Sequence, residues 1–222
     1  MGIITLERAN QLYWLGRYAE RVYTTIKEYF IGYDTMIDES EDSYKNYCKS
    51  VDVPDVYGSK EVFLEKYPFD TENPDSILSN LMRAYDNALV LRDELGSETI
   101  AYIQMAIYDM QKAVISRSPL IEMQKVVDNL LAFWGCMDDE VGNEYTRNIM
   151  KIGRRVERVD LSLRFGKDRD YLAKEVKKLV NRAPRTGLEY DKEALKKIQT
   201  DIGQGDYNVR ELVAILETFI QV

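Results

Sequence analysis

Apolar side chains recur at three- and four-residue steps through most of the chain, the spacing of a helix that buries one face. Leu12, Leu15, Ala19, Val22 and Ile26 form one such stripe, predicting a single long helix from Thr5 to about residue 37. Thr5 is its expected N-cap, and Arg8 stands where a capping box needs Glu or Gln. Between residues 34 and 75 the periodicity fades. Acidic residues gather there (Asp38, Glu39, Glu41, Asp42) and Pro54, Pro68 and Pro74 interrupt, so this segment reads as an irregular acidic connector with short helical turns near Lys60 to Tyr67.

Asn73-Pro74-Asp75-Ser76 reads as a helix start, and Ile77, Leu81, Ala84, Ala88 and Leu91 carry the next stripe. Gly96 is expected to end that helix and Ser97 to cap another holding Ile100, Ile103, Ile107, Met110 and Val114. Ser118-Pro119 breaks the pattern before Val126, Leu130, Phe133 and Trp134, and Gly142-Asn143 opens a helix reaching about Phe165. A turn-rich stretch from Arg182 to Gly187 precedes helices expected at Asp191–Thr200 and Val209–Ile220. No run of strict alternation appears. The pattern predicts an all-α, up-and-down multi-helix bundle in one domain over 1–222, with 34–75 as the connector and 183–222 as a C-terminal helical extension.

Composition narrows the chemistry. The net charge of −8 lacks the basic footprint of nucleic-acid binding, so no nucleic-acid partner is expected. No apolar run approaches the ~18 residues of a membrane span, and the first residues lack both a signal-peptide pattern and a myristoylation pattern. With only Cys48 and Cys136, both expected as small buried residues, a cytoplasmic protein is expected. The chain has no histidine, which removes Ser-His-Asp and Cys-His catalysis and His-ligated metals. No cofactor or metal is called for. Gly203 and Gly205 lack the strand and third glycine of a dinucleotide fingerprint and read as a loop. The basic residues Lys174, Lys177, Lys178, Arg182, Arg185, Lys196 and Lys197 read as a solvated face, the alternative being a docking face for an acidic partner or phosphate. Tyr13, Trp14, Tyr18, Tyr29 and Tyr33 read as helix-interface packing.

One motif occurs twice. LYWLGRYAERV at 12–22 and IMKIGRRVERV at 149–159 share Gly16/Gly153, Arg17/Arg154, Glu20/Glu157, Arg21/Arg158 and Val22/Val159 in register. This suggests either a duplication or two helices with the same geometric task. At roughly 100° per residue, Gly153, Glu157, Asp160 and Arg164 share a strip beside the core stripe, matched by Gly16, Glu20, Tyr23 and Lys27. A helix-interior glycine implies close helix approach, and Arg17 stands at ion-pair spacing from Glu20. Two readings stay open: helix crossings held by buried Glu–Arg pairs, or a polar pocket where Glu20 and Glu157 converge to hold a metal or an amine or to act as acid and base.

At these residues the chain resembles the alpha-E family, whose members open with a segment similar to NQLYWLGRYAER and close with one similar to Gly153–Asp160. Asn73-Pro74, Ser76-Ile77, Asn87-Ala88, Arg92 and Ser97-Glu98 are similar to the family's middle positions, so the resemblance spans roughly residues 7 to 170. It implies a helical protein associated with circularly permuted ATP-grasp ligases and transglutaminase-like proteins, in a system that forms or processes peptide or amide bonds. The expected function is an accessory helical subunit binding such a ligase or transglutaminase-like partner, or a peptide, near Glu20 and Glu157. The alternative is an enzyme using Glu20, Glu157, Asp160 and Glu98 on an amine or peptide. Arg17, Arg21, Arg92, Arg154, Arg158 and Asn87 are the candidate binding residues. A peptide substrate and a second copy of the chain stay open as partners.

Overall fold

A computed structural model describes residues 4–38 and 42–222; Glu39 and Glu41 of the acidic segment, and the first three residues, lie outside them. The described residues form ten α-helices and no named strand, an all-α bundle as the stripes require. Among the described residues, one isolated antiparallel bridge, Tyr190 to Ile220, ties the last residues to the segment before the ninth helix.

The long helix is α1 (Leu6–Asp38), with the Thr5 hydroxyl accepting from the Arg8 amide at 3.3 Å. Its stripe residues Leu12, Leu15, Ala19, Val22 and Ile26 are wholly buried. The segment expected to be irregular holds α2 (Ser43–Val51) as well as the expected α3 (Lys60–Lys66). Tyr44, Tyr47 and Cys48 give α2 a buried face only about one turn long, too short to stand out as periodicity beside acidic neighbours. Together with Tyr29, Tyr57, Phe63 and Tyr67 they build an aromatic cluster, with Phe63 and Tyr67 stacked at 4.9 Å. Through Tyr29 of α1, and through Phe165 against Tyr47, that cluster joins the proline-punctuated segment to the core of the bundle.

Helix α4 (Ile77–Val90) starts later than expected. The Ser76 hydroxyl caps it, accepting from the Ser79 amide at 3.0 Å, while Asn73 accepts from the Asp75 amide in the turn before. The break to α5 (Arg92–Ile115) comes in two steps: α4 stops at Val90, and Gly96, at φ 76°, bends the chain inside α5. Ser97 accepts from Arg92 at 3.4 Å instead of capping. Val114 lies exposed at the end of α5 and Ala113 occupies the buried position. α6 (Pro119–Glu140) and α7 (Glu144–Arg164) follow, the second capped by Asn143, which accepts from the Tyr145 and Thr146 amides. α8 (Arg169–Arg182), α9 (Lys192–Gln204) and α10 (Val209–Thr218) complete the chain. Gly203 sits inside α9, and Gly205 ends that helix in the left-handed conformation.

The most extensive packing is between α5 and α6 and between α1 and α7, with α4 on another side of α1. α8 and α10 cover the outer face of α7. The two motif helices are therefore direct neighbours at the centre. No described helix is long and apolar enough to cross a membrane.

Candidate functional site

The crossing of α1 and α7 is set by the two motif glycines. A Cβ on Gly16 would fall 2.1 Å from the Met150 carbonyl oxygen, and a Cβ on Gly153 would fall 2.1 Å from that of Tyr13. Met150 precedes Gly153 by three residues, as Tyr13 precedes Gly16, so each helix presses its glycine onto the same turn of the other. Only glycine allows backbones this close.

One turn further on, the charged residues exchange partners. Glu20 of α1 accepts from Nε of Arg154 at 3.0 Å and Nε of Arg158 at 2.5 Å, both on α7. Glu157 of α7 accepts from Nε of Arg17 at 2.7 Å and Nε of Arg21 at 2.5 Å, both on α1. Each glutamate thus has both oxygens taken by the arginines of the other motif. Arg17 does not pair with Glu20 as its spacing suggested; the close crossing brings the opposite carboxylate within reach instead. These are charge-assisted bonds, individually about twice as strong as neutral ones.

The motifs diverge next. Asp160 accepts from Arg17 at 3.3 Å and from Arg164 at 2.5 Å, whereas its counterpart in α1 is Tyr23, whose ring faces Arg158 at 5.5 Å. The aromatic rings of Trp14 and Trp134 lie against Arg17 and Arg154, at 4.9 and 4.4 Å. Glu20 and Glu157 are 0 % exposed, Asp160 is 1 % and Arg17 is 4 %. The cluster is sealed from solvent on its carboxylate side.

Electrostatics follow from that burial. Desolvation pushes the Glu157 carboxyl upward, but the facing charges of Arg21 and Arg17 outweigh it and hold it below its ordinary value. Asp160 goes the other way, raised by burial and by the charge of Glu157 beyond what Arg164 offsets. Arg154 is lowered, chiefly by burial, with Arg158 and Arg155 repelling its charge.

Of the sequence candidates, Glu20, Glu157, Asp160, Arg17, Arg21, Arg154 and Arg158 meet in this one cluster. Glu98 and Arg92 are exposed on α5, and Asn87 donates to the Arg83 carbonyl within α4; none of the three bonds to the cluster. Arg164, placed by the sequence on the strip it shares with Glu157 and Asp160 but not counted among the binding residues, joins the cluster by bonding to Asp160 four residues before it. Trp134 comes from α6, and nothing local in the sequence marks it. Among the described residues no set of three carboxylate or thiol groups converges as a metal site.

The architecture and the exchanged pairs define a class: a helical bundle whose central crossing is clasped by two Glu-Arg motifs. The chain belongs to the Alpha-E family, described as a predicted alpha-helical domain with a conserved ER motif, which matches residues 7–199. Neither curated proteins nor solved structures give a match.

Proposed function

We propose that this protein is a non-catalytic helical binding subunit whose two ER motifs are an internal clasp. Its partner would be an ATP-grasp-type ligase or a transglutaminase-like protein in a system that modifies peptide or amide bonds. One observation carries the non-catalytic part: both motif glutamates are fully buried, with every carboxylate oxygen bonded to an arginine. A general base or metal ligand needs a lone pair facing substrate, and neither glutamate offers one. A buried ion pair adds little net stability over an apolar pair, but it penalises any other register of the crossing, because a slipped helix strands a buried charge. The clasp holds α1 and α7 in one geometry, and the outer helices present the binding surface.

The test is equilibrium unfolding of Glu20→Gln, Glu157→Gln and the double variant. A clasp predicts losses of about 3–5 kcal/mol for each single variant and a strongly non-additive double. Unchanged or raised stability would return the carboxylates to the enzyme reading. Co-purification with an ATP-grasp-type ligase tests the partner, and its absence as a complex in size-exclusion chromatography sinks that half of the proposal.

A further inference from the structure

The clasp is sealed on its carboxylate side but opens on one flank, where the two motifs diverge. Arg21 and Arg164 retain 27 % and 23 % side-chain exposure, and both line a cavity of about 190 Å³ between α1, α2 and α7. Each gives its Nε to a buried carboxylate, Arg21 to Glu157 and Arg164 to Asp160. A guanidinium has five N–H donors. Beyond these bonds Arg164 also pairs with Asp52 at 3.7 Å, and most of the terminal N–H groups of the two arginines are left for the cavity.

Charge points the same way. Five guanidiniums (Arg17, Arg21, Arg154, Arg158, Arg164) pair with four carboxylates (Glu20, Glu157, Asp160 and Asp52), leaving one positive charge over in a chain whose net charge is −8. At this flank the two partly exposed guanidiniums, Arg21 and Arg164, present the N–H donors that a ligand carboxylate accepts.

The same cavity also presents Asp52, Asp75 and Glu217. Three carboxylates disfavour a multiply charged anion such as phosphate. They suit a ligand that brings its own cation beside its carboxylate. Asp52 ends α2 as its left-handed C-cap, at φ 60° with its amide donating to the Cys48 carbonyl, and this leaves its side chain 86 % exposed at the mouth of the cavity. Through Asp52, Arg164 and Glu217 the cavity continues into a groove of about 800 Å³ along α10, where Val209, Val213 and Ala214 add apolar surface. That volume lies within the range of small-ligand sites.

We propose that this flank is a binding site for an amino-acid-type zwitterion, either a free amino acid or a short peptide. The ligand carboxylate sits on Arg21 and Arg164, its ammonium faces Asp52, Asp75 and Glu217, and further residues of a peptide run along α10. This deepens the reading of the protein as a binding subunit and rests on it, since the clasp arginines are then free of any catalytic task.

The experiment is a titration of the full chain at low salt with alanine, Ala-Ala, the C-terminal amide of Ala-Ala, its N-acetyl form and inorganic phosphate, followed by calorimetry and by chemical shifts. Ala-Ala, alanine or both should bind saturably; alanine binding as well as Ala-Ala identifies the free amino acid as the source, and a preference for Ala-Ala identifies the peptide. Amidation or acetylation should weaken binding about tenfold or more, the loss of one charge-assisted contact. Arg164→Gln should do the same. Glu217→Lys, on the exposed face of α10 and outside the clasp, should also weaken binding while leaving the unfolding midpoint in place, so a folding defect cannot imitate the result. No binding of either zwitterion, tighter binding of phosphate, or binding indifferent to Glu217→Lys overturns the proposal. Its failure would leave the clasp untouched, because the unfolding of Glu20→Gln and Glu157→Gln decides that separately.

Discussion

Replacing Gly16 by alanine sets a local preference against the crossing. Inside a helix alanine is favoured over glycine by about 1 kcal/mol, so propensity alone predicts a more stable protein. The structure predicts the reverse. The new methyl would stand 2.1 Å from the Met150 carbonyl oxygen and 3.2 Å from the Arg154 amide nitrogen, both backbone atoms that no rotamer change can move. Relief requires α1 and α7 to part by more than about 1 Å, and a gap of that size forfeits up to about half of the dispersion energy across the contact. The same displacement stretches the Arg–Glu bonds one turn away, now 2.5 to 3.0 Å, toward loss, and each charge-assisted bond contributes about 1.5–3 kcal/mol. Together these exceed the propensity gain and give a net loss of about 3 kcal/mol or more, a fall in Tm of roughly 6–12 °C for a chain of this size.

Gly135 in α6 and Gly203 in α9 are the internal controls. A Cβ at either meets nothing within 4 Å, so Gly135→Ala and Gly203→Ala should each stabilise by about 0.5–1 kcal/mol. The assay is urea unfolding followed by far-UV circular dichroism on all three single variants and on Gly16→Ala with Gly153→Ala. Because the two glycines share one crossing, the double variant should lose clearly less than the sum of the singles. If Gly16→Ala gained stability like the controls, the close approach, and with it the account of the clasp, would be refuted.

Three further outcomes follow from the cluster. Arg17→Lys keeps the charge but not the planar fork that reaches Glu157 and Asp160 together, so it should cost about 2–4 kcal/mol, and chemical denaturation will show whether charge alone suffices. Glu157, held below its ordinary 4.5, contributes stability that is present above that value and is lost as pH falls through its folded value; the unfolding midpoint should therefore drop on the acid side of 4.5. Asp160, raised above its ordinary 3.8, has the opposite sign: its contribution is present below 3.8 and lost as pH rises through its folded value, so at neutral pH Asp160→Asn should cost less than Glu157→Gln in the same titration.

How much of this was legible in the sequence depends on whether one helix or two determine the feature. Where a helix buries a long stripe, as α1 does through Leu12, Leu15, Ala19, Val22 and Ile26, the pattern stands alone and gives the element nearly to its ends. Where the buried face spans a single turn, as Tyr44, Tyr47 and Cys48 do in α2, tertiary packing decides and the pattern is silent. The cluster shows the same division. Gly16 and Gly153 break helix propensity, and Arg17, Glu20 and Glu157 place charge beside a core stripe; each is a local fault that a stable helix would avoid. Faults repeated in register imply that another element removes their cost, and here each motif removes the other's. What the one-dimensional pattern could not supply was the direction of pairing. On a single helix Arg17 and Glu20 satisfy each other at three residues' spacing, and only the close approach permitted by the two glycines makes the exchange across helices available. The clasp is therefore a property of the pair of motifs: in isolation α1 should pair Arg17 with Glu20 internally, and the exchanged bonds should form only on docking with α7.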